Sequence, residues 1–596
     1  MSQLETGLLL DLPHHDGSDL HVVQRPAEMG DTAVVRLRVP KAQSADRVIA
    51  RYERDGEPRS AEAFVDEETD TDVWWRAEFP ASNPVTRYRF LLAGGDAGYA
   101  WVNGIGVTRH EVADADDFVL TTGTWGPDWH LSSVAYQIFP DRFASSGLGV
   151  EPPEWAIPRG WDELPTGRGR ATPYEWFGGD LRGIERHLDH VEQTGANLLY
   201  LTPFFAAGST HRYDATSFAH VDPVLGGDEA LRALAAAVHA RGMRIIGDIT
   251  PNHTGDKHEW FQTALAGSQP ERGFYYFDDS IPGGYESWLG HRTLPKLNWE
   301  SNELRFRFAD VLKQYLELGL DGWRVDVANM TGRYRDLDLN REVSRWMRAQ
   351  VGDALLLAEH GHDFRPDLAA RGWHGVMNYS GFMRPAWTWL LRDDPEPEQQ
   401  RSFWGIPVGV PQLDADEAVA AMQRFRAGVP WDAVLHSWTL LDSHDVARFR
   451  TIAGTRERHL VGVGLQMTTP GVPMIFAGDE IGLEGAWGED ARRTMPWDRR
   501  DDWDNAFLAE VRSLAKLRRS LPALGRGGMR YLHVSADAIA YLRETRDERL
   551  LCLAARADHA PIATPFTSLE TLYGEDAVGG ALPSSGPAFH IWRIHG

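Results

Sequence analysis

The sequence predicts an α/β chain: a (β/α)8 TIM barrel with an inserted loop domain after its third strand, flanked by an N-terminal β-sandwich and a C-terminal β domain. Three observations predict it. From about residue 132, apolar strand-like runs alternate with amphipathic helical segments, eight strands in all. Before residue 122 and after residue 523 that rhythm gives way to short runs of period two. Between the third and fourth barrel strands lies a stretch too long for an ordinary connection.

Residues 1–122 hold "TAVVRLRVP", "RVIARYE", "DVWWRAEF" and "RYRFLLAG", separated by Gly, Pro, Asp and Asn, the spacing of a small sandwich. "TTGTWGPDWH" then reads as a linker. The barrel takes residues 132–253 and 301–519. Its strands are expected at 134–139, 196–201, 243–249, 321–327, 354–359, 375–379, 434–443 and 472–477. One helical stripe carries Leu231, Leu234, Ala235 and Val238 and ends at Gly242; a second carries Phe308, Val311, Leu312 and Tyr315 and ends at Gly319. The last barrel helix shows Phe507, Leu508, Val511, Leu514 and Ala515. The insertion, 254–300, is rich in Gly, His and aromatic residues, a composition that favours function over disorder. Residues 523–596 return to strands: "RYLHVSA", "AIAYLRET", "ERLLCLAAR" and "AFHIWRIHG".

Composition excludes several partners. The 86 acidic residues outnumber the 61 basic ones, a net charge of −25 that disfavours nucleic acid. No run approaches the length of a membrane span. The start, "MSQLETGLLLDLPHH", lacks a basic leader, and Cys552 is the only cysteine, so a cytoplasmic chain without internal disulfides is expected. The pair His14–His15 reads as a solvated terminus, and no histidine spacing suits zinc, so no metal site is expected. The 23 tryptophans fit either a rich core or flat platforms for sugar rings.

The chemistry is expected at the strand ends. In "GLDGWRVDVANM", Arg324 and Asp326 face away from Trp323 and Val325, and buried charge is costly unless paired. Arg324 is expected to hold Asp326 ionised, although an isolated R-x-D is more often a structural ion pair. The third strand ends in "DITPNH" with Asp248, Asn252 and His253; the fifth ends in Glu359; the seventh ends in "DSHD" with His444 and Asp445. Such ends converge on one pocket. Three carboxylates, an arginine and two histidines suit a two-carboxylate glycosidic mechanism. Asp326 would attack the anomeric carbon. Glu359, closing an apolar strand, would protonate the leaving oxygen and then deprotonate water, while Asp445, His253 and His444 hold the sugar hydroxyls.

Together with "YQIFPDRF", "GGDLRGI", "RYDATSF", "GVPMIFAGDE" and "RRTMPWD", these motifs resemble the α-amylase superfamily, glycoside hydrolase family 13, over residues 134–500. The resemblance implies Asp326 as nucleophile, Glu359 as acid/base and Asp445 as transition-state stabiliser. It also implies Arg324, His253 and His444 around the scissile sugar, with Tyr213 stacked beneath it; a core tyrosine is the alternative. "LPKLN" (294–298) is similar to a signature of the neopullulanase, cyclomaltodextrinase and maltogenic amylase group. In that group an N-terminal β domain resembles a starch-binding module and often pairs two chains, which implies a homodimer here. "AEHGHDF", with His360, and "VMNYSGFMRPAW" look like maltodextrin glucosidases.

Two positions depart from the group: Met330 replaces a usual Glu, and Gly361 a common Trp. Both changes should widen and neutralise the acceptor side, suiting a cyclic maltooligosaccharide or one with α-1,6 links. Met330 and His360 complete the expected substrate contacts. "DRFASSGLGVEPPEW" lacks the Asn/Asp-rich calcium loop of some relatives, so neither calcium there nor a cofactor is expected, and Asn252 is read as structural. Glucose release from linear chains and transglycosylation stay open, as does, more remotely, a non-catalytic binding protein.

Overall fold

The computed structural model describes residues 9–147, 149–395, 403 and 406–595. Eight parallel strands close into a barrel: Ala135–Ile138, Leu198–Leu201, Arg244–Ile249, Gly322–Val325, Leu355–Glu359, Gly375–Met377, Trp438–Leu440 and Val472–Phe476. Ala135 pairs with Met474, which closes the ring. The strands are buried almost throughout, which is why their sequences read as apolar runs without alternation.

Helices pack outside by the predicted stripes. Leu231, Leu234, Ala235 and Val238 are buried on Gly227–Ala240, as are Phe308, Val311, Leu312 and Tyr315 on Asn302–Glu317. Ser301 caps the second helix by accepting the Leu304 N–H (3.3 Å). Gly319 then turns the chain at φ +117°, where an added Cβ would lie 2.9 Å from Ala235 Cβ. Trp323 fills the layer between strand and helix. Its ring packs by Phe204, Phe205 and Tyr315, and its indole N–H donates to the Leu312 carbonyl (3.2 Å).

The seventh strand differs from expectation. Residues Trp431–His436 form a helix after Pro430, and only Trp438–Leu440 is strand. A short apolar run fits either a buried strand or one buried turn of helix, so periodicity does not separate them.

Two sheets make up the N-terminal region. Val22–Gln24, Thr32–Pro40, Asp72–Pro80 and Phe64–Glu68 form one, in that spatial order. Arg47–Arg54 and Val85–Gly94 centre the other. Val35, Leu37, Phe79, Tyr88 and Phe90 lie in the core between them. The expected linker is a packed joint: Trp125 and His130 are buried, the Trp125 N–H donates to the His374 carbonyl (2.6 Å), and His130 Nε2 accepts from the Trp438 indole (2.8 Å).

The insertion packs Trp260, Phe261, Phe274 and Tyr275 onto the same apolar core as the barrel and returns through a bridge between His253 and Lys296. The C-terminal sheet contains the four predicted strands plus Leu569–Tyr573, a short half-exposed edge strand that the sequence reading does not single out. No helix among the described residues is long and apolar enough to cross a membrane.

Trp323→Ala should cost about 3–5 kcal/mol through the cavity it leaves. Thermal unfolding should show the barrel transition lowered by several degrees; an unchanged transition would remove Trp323 from the core that supports the site.

Candidate active site

Strand register assembles the charged centre. Asp248 on the third strand pairs directly with Arg324 on the fourth, and Arg324 with Leu357 on the fifth, two residues before Glu359. Arg324 is fully buried. Its Nη1 reaches both oxygens of Asp248 (3.0 Å each) and Oδ1 of Asp326 (2.8 Å); its Nη2 lies 3.0 Å from Glu359 Oε1. The Glu359 contact is an ion pair without hydrogen-bond alignment, since Nη2 has no aligned acceptor.

One guanidinium thus serves three carboxylates, and this corrects the expectation that Arg324 simply keeps Asp326 ionised. Burial pushes Asp326 well above the usual carboxylate range, and the charge of Glu359 adds to it, against the pull of Arg324. Burial likewise pushes Asp248 up to about 6, opposed by Arg324 and by the Tyr200 hydroxyl, which donates to Asp248 (2.6 Å). The cluster therefore holds a proton more readily than an isolated Arg–Asp pair.

The backbone between the two carboxylates is strained. Val327 sits at φ +44°, a conformation costly for a β-branched residue. In that pose its N–H donates to Glu359 Oε2 (2.8 Å), tying the residue after Asp326 to the facing carboxylate.

Neutral groups are oriented around this centre. The Gln137 carbonyl oxygen accepts the backbone N–H of His444 (3.1 Å), so its amide nitrogen donates to His444 Nδ1 (2.9 Å). His444 Nε2 therefore carries the proton, 2.7 Å from the Tyr213 oxygen and 3.2 Å from Asp445 Oδ1. Tyr213 in turn donates to Asp248 (3.1 Å). Burial and Arg492 push His444 well below its usual range, so it acts as a neutral donor. The rings of Tyr213 and His444 are almost parallel, with centroids 5.6 Å apart. Arg492 binds the His444 carbonyl through Nε (2.7 Å) and approaches Asp445 through Nη2 (3.3 Å). At 24% side-chain exposure, Asp445 is more open than Asp326 (8%) or Glu359 (11%).

His253 obeys the same logic. Lys296 donates to Asn252 Oδ1 (2.6 Å), which turns the amide nitrogen of Asn252 toward His253 Nδ1 (3.2 Å). His253 Nε2 then carries a proton, lies 4.0 Å from Asp326 Oδ2, and is buried without a hydrogen-bond partner. Burial and the Lys296 charge push this imidazole down to about 3. Trp288 from the insertion approaches the His253 ring (5.9 Å) and also has a buried, unpartnered N–H.

Met330 sits half-buried after the fourth strand, its carbonyl accepting from Lys296 (3.1 Å). His360 is tied off: Nε2 faces Asp367 (3.1 Å), and Nδ1 accepts the His362 N–H (3.4 Å). Sequence reasoning left Gln137, Arg492, Lys296 and Trp288 out of the site. Lys296 stands in the quoted "LPKLN", Gln137 in "YQIFPDRF" and Arg492 in "RRTMPWD", so those motifs could have pointed to them; Trp288 lies in none of the quoted motifs.

A parallel barrel with carboxylates, neutral imidazoles and an unfilled donor at its strand ends has the site architecture of the barrel enzymes. Residues 137–519 match the model for the alpha-amylase catalytic domain, and the chain belongs to that family of glycoside hydrolases. It is 31% identical to neopullulanase 2 of Thermoactinomyces vulgaris over 91% of this chain and 92% of that one. To a Bacillus sp. cyclomaltodextrinase it is 31% identical over 71% of this chain and 73% of that one. Among solved structures, the cyclic α-maltosyl-(1→6)-maltose hydrolase of Arthrobacter globiformis matches with a TM-score of 0.65 at 30% identity, covering 74% of this chain and 94% of that one.

Asp248→Asn removes one of the negative neighbours that raise Asp326. Asp326 should then lose its proton at lower pH, moving the acid limb of the kcat/KM profile down by about one pH unit. An unmoved limb would show that Asp248 is electrically uncoupled from the reacting carboxylates.

Proposed function

We propose that the enzyme hydrolyses short or cyclic α-glucans, including those with α-1,6 links, by a retaining double displacement. The observation that carries this reading is that Asp326 and Glu359, from adjacent strand ends, both face one buried guanidinium, which supports a paired nucleophile and acid/base at a single point of the pocket. Asp326 attacks the anomeric carbon while Glu359 gives a proton to the leaving oxygen. A covalent glycosyl ester forms, and the leaving sugar departs as an alcohol. Glu359 then takes a proton from water, whose oxygen attacks the same carbon and restores Asp326. Asp445 and the N–H groups of His444 and His253 bind sugar hydroxyls as the ring flattens. Tyr213 and Trp288 provide apolar faces for the sugar.

The preference for cyclic or branched substrates rests on Met330 and Gly361 and is supported by the names of the relatives: a neopullulanase, a cyclomaltodextrinase and a hydrolase of a cyclic α-1,6-containing tetrasaccharide. We also propose a cytoplasmic location, consistent with a single buried cysteine, and a homodimer through the N-terminal sandwich. Phe64 and Val65 support the latter: they lie exposed on an edge strand whose free backbone groups can pair with another chain.

Asp326→Asn should lower kcat by about 10⁴-fold or more with the fold intact. Proton NMR of the first-formed product should show the α-anomer from the intact enzyme; the β-anomer would exclude double displacement. In product chromatography the enzyme should open cyclic or α-1,6-linked substrates faster than linear maltooligosaccharides. Met330→Glu should narrow that ratio several-fold. Glucose released chiefly from linear chains would favour a maltodextrin glucosidase.

A further inference from the structure

The N-terminal histidine pair is not a solvated terminus. His15 is only 5% exposed, with Nδ1 on the Arg36 carbonyl (2.9 Å) and Nε2 on the Tyr88 hydroxyl (2.7 Å). Around it the chain turns back on itself, and His14, Asp16 and His21 each bring one ligand atom within 4.8 Å of the others.

Their orientation suits ligation. His21 Nδ1 faces the same Arg36 carbonyl (3.1 Å); a carbonyl only accepts, so the proton sits on Nδ1 and Nε2 keeps its lone pair. Asp16 is held at both oxygens, Oδ1 by the Ser18 N–H (3.0 Å) and Oδ2 by the Met529 N–H of the C-terminal domain (2.8 Å). His14 Nε2 lies 3.8 Å from Asp16 Oδ2, too far for a hydrogen bond. Ligands bound to one tetrahedral ion at about 2.0–2.2 Å lie about 3.4 Å apart, so small side-chain rotations close the set. His14 and Asp16 also line a cavity of about 550 Å³ between the N-terminal segment, the helix Ala415–Arg426 and the strand Gly528–Ser535, which gives an ion room for a water ligand.

We propose that His14, Asp16 and His21 bind a divalent transition-metal ion of the zinc class, which staples the N-terminal segment to the C-terminal domain remote from the catalytic strand ends. Two imidazoles and one carboxylate suit zinc, cobalt or nickel and disfavour calcium, which prefers six to eight oxygens.

The test is calorimetric titration of chelator-treated, full-length protein with Zn²⁺, alongside thermal unfolding with and without the ion. The expected result is one site per chain and a Tm raised by several degrees. His14→Ala, His21→Ala and Asp16→Asn should each weaken that site at least tenfold and remove the Tm shift. The His14 side chain is 22% exposed, so His14→Ala tests the site even if the buried variants fold poorly. Circular dichroism without zinc should match the parent. The proposal is overturned if the parent takes up no zinc below 100-micromolar levels (~10⁻⁴ M, far weaker than known structural zinc sites), or if His14→Ala binds it with unchanged stoichiometry and affinity.

Discussion

The fold is organised around one buried cation. Arg324 lies on the fourth barrel strand, fully enclosed, and three carboxylates from three successive strands converge on it. Burying an ion costs several kcal/mol, and removing one partner leaves the others uncompensated. The barrel must therefore hold its register, because a one-residue slip would turn Arg324 into the helix layer and Trp323 into the pocket. The direct pairing of Asp248 with Arg324 is where fold and chemistry meet.

Polar groups nearby are arranged as oriented dipoles. From Gln137 through His444 and Tyr213 to Asp248, every donor has a defined acceptor, so the direction of each bond is fixed by the one before it. Such a chain presents neutral donors in a low-dielectric pocket without reorganisation at the moment of reaction. His253 ends a parallel chain through Asn252 and Lys296, but its Nε2–H is left open beside Asp326. Unmet donors are costly in a buried site, and a sugar hydroxyl is the chemical complement of this one.

Much of this was legible in the sequence. The eight strands announce themselves as apolar runs, and four of them end in charged residues, since a strand buried on both faces can place polar groups only at its end. The seventh was misread at its start because Trp431–His436 is as apolar as a strand. Electrostatics was less legible: "WRVD" shows that Arg324 and Asp326 are neighbours, but how many carboxylates share the arginine depends on strand register. The same holds for His14 and His21, whose approach depends on a turn and on packing against Met529, some five hundred residues away. Trp288 joins the site through the folding of the insertion, which leaves no local pattern, whereas Gln137 stands in "YQIFPDRF" and only its partner His444 depends on the closure of the barrel.

The central claim is that Asp326, sharing Arg324 with Glu359, forms a covalent bond to the sugar. It is tested most directly by incubating the enzyme with a slowly deglycosylating fluorinated α-glucosyl fluoride, digesting it, and sequencing the labelled peptide by mass spectrometry. The account predicts one glycosyl unit per chain, attached to Asp326 and absent from Asp326→Asn. A label on another residue, or turnover without any trapped ester, would contradict it.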